Sequence, residues 1–328
     1  MIGSRLLTRA VVLSALLAYA VVRAEDSTDM ALLKQLATEL GAAAPLSGAD
    51  DAVAYSAASQ KLRDSKLLER LSGEDIVWGG QTNGQTLDPK AHNLTRFDPF
   101  IWRGEYLAAF MFSGSNSIQR VENYTEMAMD CIFRNRMDPG DYPYPFWHSA
   151  SKWRSYQLTC QILFLFEKGK LIAAYRSHNE DTSRPTVART FDGNWHWSSK
   201  EHVVEPHVSL YANQFSKDNP YVAALETAYR NLESTSRQSN CMTCHSPDNA
   251  SKAKRLVILN FPNQALASRQ TLVKQLEENL MPPEDKEKGQ SAGVGDPAQK
   301  AALVTLAKTF VEAANKALSF EKEAVLRK

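Results

Sequence analysis

The chain has 328 residues, of which 43% are hydrophobic, and its formal net charge at pH 7 is +1. A chain of this length and composition can bury a sizeable core and suggests two domains. Its near-neutral charge gives no indication of a nucleic-acid partner or of an anionic membrane surface as a partner. The sequence shows neither low-complexity tracts nor internal repeats, which argues against a disordered or repeat architecture.

The amino terminus has the pattern of a cleaved export signal. Arg5 and Arg9 precede or border the apolar run 10–22, and residues 22–24 place small side chains at the −3 and −1 positions. The run is too short for a spanning helix, which needs roughly 20 residues. We expect a signal peptide at 1–24, a mature periplasmic chain that begins at Glu25, and no membrane span in that chain. The alternatives are a buried core helix and an uncleaved anchor.

Residues 25–75 form a predicted helical segment. Apolar residues recur at helical spacing before and after a break at 41–51. Those before the break are Met30, Leu32, Leu33, Leu36 and Leu40, and those after it include Leu62, Leu67, Leu68 and Leu71.

Residues 76–210 are predicted to form a β-rich domain of unknown function. Aromatic and β-branched residues are frequent there, and turn dipeptides such as Pro139-Gly140 and Asp192-Gly193 interrupt them. The clearest element is a β-hairpin with strands at 157–166 and 171–175, in which Gly169 supplies a positive-φ turn position. We expect the boundary with the next domain, at 211–328, to lie within 207–219.

Residues 241–245 read Cys-Met-Thr-Cys-His, which is the pattern of a covalent c-type haem site. Two thiols can add across the vinyl groups of a haem, and the adjoining imidazole is then placed to bind the iron. The alternatives are a redox dithiol and half of a zinc site. A zinc site lacks its second Cys/His pair at normal spacing, and a thioredoxin-like dithiol would lie at a strand-to-helix junction.

Amphipathic helices are predicted on both sides of this motif. Asn219-Pro220 has the pattern of a helix cap before the first helix, and Asp296-Pro297 has the same pattern before the last. A third helix is expected at 266–280, after an apolar stretch at 256–261. One stripe of the first helix holds Val222, Leu225, Tyr229 and Leu232, and one face of the last holds Leu303, Leu306, Phe310, Ala314 and Leu318.

In this order of motifs, residues 219–322 resemble a class I cytochrome c domain. The resemblance implies one covalent haem c held by Cys241 and Cys244, with His245 and Met281 as the axial iron ligands. Met281 is followed by two prolines, as the sixth ligand of many cytochromes c is. The alternative for Met281 is a core methionine. The first helix lacks the family's usual glycine, and only 35 residues separate His245 from Met281, so the domain would be a compact version.

The same resemblance implies that the first and last helices cross, which would bring Tyr229 and Phe310 near each other.

The two other cysteines, Cys131 and Cys160, lie in the β-rich region. An exported chain with one remaining pair of cysteines is a fair candidate for a disulfide. The alternative is two separate buried thiols.

Two clusters in the β-rich region combine aromatic side chains with imidazoles. They are residues 142–148 with Trp153, and Trp195-His196-Trp197 with His202 and His207. Such residues line a substrate pocket, shield a haem face or supply an iron ligand in some proteins, and are core and turn residues in more of them. No hydrolase triad, Glu-x-x-His or phosphate-binding loop appears in a credible context.

These features predict an α+β protein, in which a helical segment and a β-rich domain precede an all-α haem domain. Its expected function is one-electron transfer to and from redox partner proteins. Two alternatives stay open. In one, the β-rich domain builds a distal pocket and the protein is a haem enzyme or a small-gas sensor. In the other, the β-rich domain docks the cytochrome on a periplasmic redox enzyme.

Overall fold

The chain folds as a mixed α+β protein, as the sequence predicts. The computed structural model describes residues 29–80, 95–97, 102–121, 124–137, 142, 150–177, 179–188, 210–211, 214–239, 241, 244–245, 262–284 and 293–327. The predicted signal peptide at 1–24 and the apolar stretch at 256–261 lie outside the described residues. Within them, no helix is both long enough and apolar enough to cross a membrane.

Three helices make up the amino-terminal segment, which confirms the helical prediction there. They are α1 at 29–43, α2 at Ala52–Arg63 and α3 at Lys66–Leu71. The Asp51 carboxylate caps α2 by accepting a 2.9 Å hydrogen bond from the Ala54 N–H. Of the predicted apolar residues, Met30 is exposed and Leu32 is half-buried, and the others are buried: Leu33, Leu36, Leu40, Leu62, Leu67, Leu68 and Leu71.

The strands form one mixed sheet. In the described residues they are β1 (Ser72–Gly80), β2 (Thr95–Phe97), β3 (Phe110–Val121), β4 (Tyr124–Phe133), β5 (Gln161–Glu167) and β6 (Lys170–Arg176), in the order β2-β1-β6-β5-β4-β3. All neighbours are antiparallel except β1 and β6, which are parallel. The first strand begins before residue 76, where the β-rich region was predicted to start.

The predicted hairpin is confirmed at its turn and wrong at its start. Lys168 and Gly169 both have positive φ, 51° and 73°, which is the conformation of a tight two-residue hairpin turn. Residue 157, however, ends a helix, α4 (Ala150–Gln157). The Leu158 N–H still donates to the Arg154 carbonyl, so the chain becomes extended only at β5.

Four helices are described in the carboxy-terminal third: α5 (Val222–Gln238), α6 (Pro262–Ala267), α7 (Arg269–Glu277) and α8 (Pro297–Arg327). The predicted cap of α8 is confirmed, since the Asp296 carboxylate accepts from the Ala298 N–H. The predicted cap of α5 is wrong: Asn219 accepts from the Tyr221 N–H in a turn, and the helix begins at Val222. The helix predicted at 266–280 divides at Ser268 and ends at Glu277.

One contiguous core joins the helical segment, one sheet face and the carboxy-terminal helices. Leu40, Phe133 and Phe310 all belong to it. The opposite face of the sheet carries a smaller cluster that includes Leu163 and Tyr175. The predicted division into domains at 207–219 stays a prediction, and in this structure the two regions share a core.

Candidate haem attachment site

Backbone hydrogen bonds join the three described residues of the Cys-x-x-Cys-His motif, Cys241, Cys244 and His245, just after α5. The N–H groups of Cys244 and His245 both donate to the Cys241 carbonyl, at 3.1 and 3.0 Å. This turn places two thiols and one imidazole on a short segment at the end of an amphipathic helix. That is the arrangement that covalent haem attachment needs, because both thioether bonds and the iron ligand must reach one ring.

All three side chains of the motif are half-buried. Cys241 packs against the margin of the main core, and its Sγ lies 3.8 Å from the Ser239 carbonyl oxygen. Burial raises the pKa of the Cys241 thiol, and the nearby Cys244 raises it further. The Cys241 sulfur is therefore a neutral thiol at neutral pH and lies at the boundary between the core and the surface.

Helices α5 and α8 pack against each other beside this motif, as the predicted crossing requires. The rings of Tyr229 and Phe310 are 5.9 Å apart between centroids, which confirms the expected contact. The ring of Tyr211, from the segment before α5, meets Tyr229 edge-on at 6.2 Å. On α5, Leu225, Tyr229 and Leu232 are buried, and on α8 so are Leu303, Phe310, Ala314 and Leu318.

The loop that carries Met281 begins with a defined helix end. The Leu280 N–H donates to the Gln275 carbonyl and the Asn279 N–H to the Leu276 carbonyl, while Asn279 adopts a φ of 57°. These two bonds and the left-handed residue make a Schellman motif. The direction in which the chain leaves α7 toward Met281 is therefore set by backbone hydrogen bonds.

A second set of contacts ties this loop to the start of α8. The Asn279 side chain accepts from the Val294 N–H at 3.1 Å, and the Gly293 N–H donates to the Pro282 carbonyl at 2.7 Å. Gly293 has a φ of 88°, and a Cβ there would lie 2.0 Å from the Asn279 amide nitrogen. We call these four residues the clasp. The clasp was not predicted from the sequence, although an asparagine just after a helix is a signal for it.

Met281 itself is half-exposed and lies outside the buried core, unlike Met127 and Met129. The alternative of a core methionine is therefore not what this structure shows. Binding of iron by Met281 stays a prediction. His245 precedes α6 and Met281 follows α7, so the imidazole and the thioether lie on opposite sides of these two helices along the chain. The described residues contain no cluster of three or more His, Cys, Asp or Glu side chains for a metal ion without a haem.

The remaining cysteines are neighbours in the sheet. The Cys131 N–H donates to the Cys160 carbonyl at 2.9 Å, across β4 and the residue before β5. Both sulfurs are unbonded thiols in this structure. Burial raises the pKa of the Cys131 thiol, and Cys160 donates to the Asn179 carbonyl. The disulfide stays a prediction.

Of the two clusters of aromatic and histidine residues, the structure describes only Tyr142 and Trp153. Both are core residues. The Tyr142 ring stacks on Phe133 at 5.4 Å and meets Trp153 edge-on at 4.8 Å, and its hydroxyl donates to the Arg134 carbonyl. The other members, at 143–148 and 195–207, lie outside the described residues.

No protein-family model, curated protein or solved structure matches the chain.

Proposed function

We propose that the protein is an exported monohaem c-type cytochrome that transfers single electrons between redox partner proteins. The observation that carries the proposal is the Cys241–His245 turn at the end of α5, a helix packed on α8 through Tyr229 and Phe310. Haem c, when bound, supplies one-electron exchange between ferrous and ferric iron.

In this proposal each residue of the site has one role. Cys241 and Cys244 attach the haem through thioether bonds, and His245 is the proximal ligand. Met281 is the sixth ligand, and the clasp holds its loop against the start of α8. The apolar stripe of α5 and the facing residues of α8 exclude water from one side of the site. A thioether ligand favours the ferrous state relative to a second imidazole.

Covalent attachment tests the proposal directly. The mature chain should be produced in the periplasm of a bacterium that has c-type haem maturation. Haem should then stay on the polypeptide through denaturation and acid-acetone extraction, because thioether bonds survive both. The Cys241→Ala/Cys244→Ala variant should release all of its haem, and intact-protein mass spectrometry measures the difference.

The chain offers a matched control in its other two cysteines. Cys131→Ala/Cys160→Ala removes the same number of thiols and should keep the full haem mass. Loss of haem from the wild-type chain on extraction would refute the proposal, and so would zinc bound stoichiometrically in its place.

A further inference from the structure

A buried carboxyl group lies in the π-helical turn Trp102–Tyr106, at the junction of three parts of the chain. Glu105 is only 5% exposed. Its Oε1 accepts a 2.8 Å hydrogen bond from the Nε2 of Gln214, and its backbone carbonyl accepts from the Tyr55 hydroxyl at 3.2 Å. Gln214 begins the connector (residues 214–219) that leads to α5. A carboxylate in such a place would be costly unless it were fully paired.

One hydrogen bond joins the side chains of Glu105 and Gln214, and it leaves one acceptor atom on each of them. Glu105 Oε2 and Gln214 Oε1 are both buried, and neither has a hydrogen-bond partner among the residues that the structure describes. Both are acceptors when the carboxyl is ionised, so neither can satisfy the other. One proton on Glu105 would change this, because a carboxylic acid donates where a carboxylate cannot. The acid and the carboxamide then form a ring of two hydrogen bonds, O–H to O and N–H to O.

The surrounding charges oppose a proton on Glu105 only in part. Burial is the largest effect and raises the pKa of Glu105 from its ordinary 4.5 to about 8, while Gln214 and the guanidinium of Arg63 lower it. Arg63, on α2, is also attracted to Glu321 on α8. Arg103, on the same turn as Glu105, donates to the Arg63 carbonyl and lies 3.8 Å from Glu69. Two tyrosines also respond to Glu105: burial raises the pKa of Tyr55 and of Tyr211, and the charge of Glu105 raises each further.

We propose that Glu105 is a neutral acid bound to the Gln214 carboxamide in this ring, and that loss of its proton loosens the connector from the π-helical turn. The connector is held at its other end by α8: Ser216 and Asn219 both donate to the Glu321 carboxylate. The hydrogen-bonded pair of Glu105 and Gln214 is thus a pH-sensitive contact at the start of the connector that leads to α5. The proposal does not depend on haem binding.

The direction of the pH effect follows from proton counting. In the unfolded chain the carboxyl ionises near its ordinary pKa of 4.5, whereas in the folded chain it keeps its proton to about 8. Between these values the folded state binds more protons, so the free energy of unfolding falls as the pH rises. Above a pH of about 8 the contribution of Glu105 to the free energy of unfolding no longer changes with pH.

Infrared spectroscopy of the mature protein tests the protonation state. The wild type should show the C=O stretch of a neutral carboxylic acid, and this band should disappear as the pH is raised past about 8. Glu105→Gln keeps the side-chain shape and an amide pair with Gln214, and it should lack the band. Its thermal unfolding midpoint should also fall less than that of the wild type over the interval from 4.5 to 8.

Glu126→Gln is the matched control. Glu126 is also a buried glutamate, but both of its oxygens accept hydrogen bonds, from Gln119 at 2.9 Å and Tyr175 at 2.6 Å. This variant should retain the acid band. A wild-type protein with no such band, or with a band lost near the ordinary pKa of a glutamate, would overturn the proposal. So would a band that persists in Glu105→Gln.

Discussion

Among single residues, Met281 separates the candidate functions most sharply. If Met281 is the sixth ligand, as proposed, the ferric protein should be low-spin and show a weak far-red sulfur-to-iron band. Met281→Ala should abolish that band and let added cyanide or carbon monoxide bind. It should also lower the potential, by part of the roughly 0.8 V that axial ligands span. Optical titration and a redox titration measure these effects.

Leu280→Ala is the control for this loop, since Leu280 is 43% exposed and adjacent to Met281. It should leave the band and the potential unchanged. A bis-imidazole spectrum that persists in Met281→Ala would instead assign the sixth position to His196, His202 or His207. A high-spin wild-type iron that binds carbon monoxide would favour the enzyme or gas-sensor alternative.

Some residue roles were readable from the sequence because their causes are local. Asp296 caps α8 and Gly169 makes a tight turn through contacts within a few residues. Asn219 had the same local pattern as a cap, yet its amide also donates to the Ala317 carbonyl and to Glu321, about a hundred residues away. Contacts at that distance decide its role, and a single sequence does not show them. Glu105 was missed for the same reason.

At the scale of elements, the packing of α5 on α8 should be a major source of stability. Phe310 is fully buried against Tyr229. Phe310→Ala should lower the free energy of unfolding by about 3–5 kcal/mol, because it removes a large apolar side chain and leaves a cavity. Chemical denaturation followed by circular dichroism measures the change.

Thr309→Ala tests whether the effect comes from the buried face of α8. Thr309 is exposed, and its hydroxyl donates only within the helix, to the Thr305 carbonyl. This variant should unfold close to the wild-type midpoint. Both substitutions introduce alanine, which favours the helix, so an equal loss of stability in the two variants would contradict the role given to the α5–α8 contact.

Helices and strands were predicted best where apolar residues keep the spacing of a helix over several turns. The leucine spacing of α1 to α3 and the stripes of α5 and α8 predicted helices whose apolar faces are mostly buried, with Val222 and Leu306 half-buried at their margins. The hairpin turn was correct, but Gln157 to Cys160 were assigned to a strand because apolar and β-branched residues continue into β5. Gln157 is instead the last residue of α4, and the Thr159 hydroxyl donates a hydrogen bond back to the Ser155 carbonyl. A short apolar run does not distinguish these two outcomes.

For the whole molecule, the shared core predicts cooperative unfolding. Buried hydrogen bonds join the predicted domains, from Gln214 to Glu105 and from Asn263 to the Tyr106 hydroxyl at 2.6 Å. Amides of β5 and of α8 should therefore exchange hydrogen with one common free energy of opening. Hydrogen exchange with mass spectrometry under increasing denaturant measures the free energy of opening of β5 and that of α8. Two separate values would support independent domains divided at 207–219.

Glu321→Ala should weaken this connection. Its carboxylate accepts from the N–H and hydroxyl of Ser216, both at 2.7 Å, and from Asn219 at 2.9 Å. Removing it takes an acceptor from the buried Asn219 amide, at about 1–3 kcal/mol, and two further hydrogen bonds from the half-buried Ser216. Glu312→Ala on the same helix removes only an exposed pair with Lys316 and should change little. Equal effects in the two variants would contradict this role for Glu321.

The parallel pairing of β1 with β6 has a consequence for the order in which the chain folds. Ser72 pairs with Leu171, so roughly a hundred residues must be synthesised between the two partners. Closing a loop of that size costs about 4 kcal/mol of chain entropy before any contact is gained. The hairpin β5–β6 closes a far shorter loop and is expected to form first. A nascent chain that stops before β6 leaves β1 without this partner, and its hydrogen-bonding edge is then open to other strands, including those of a second nascent chain.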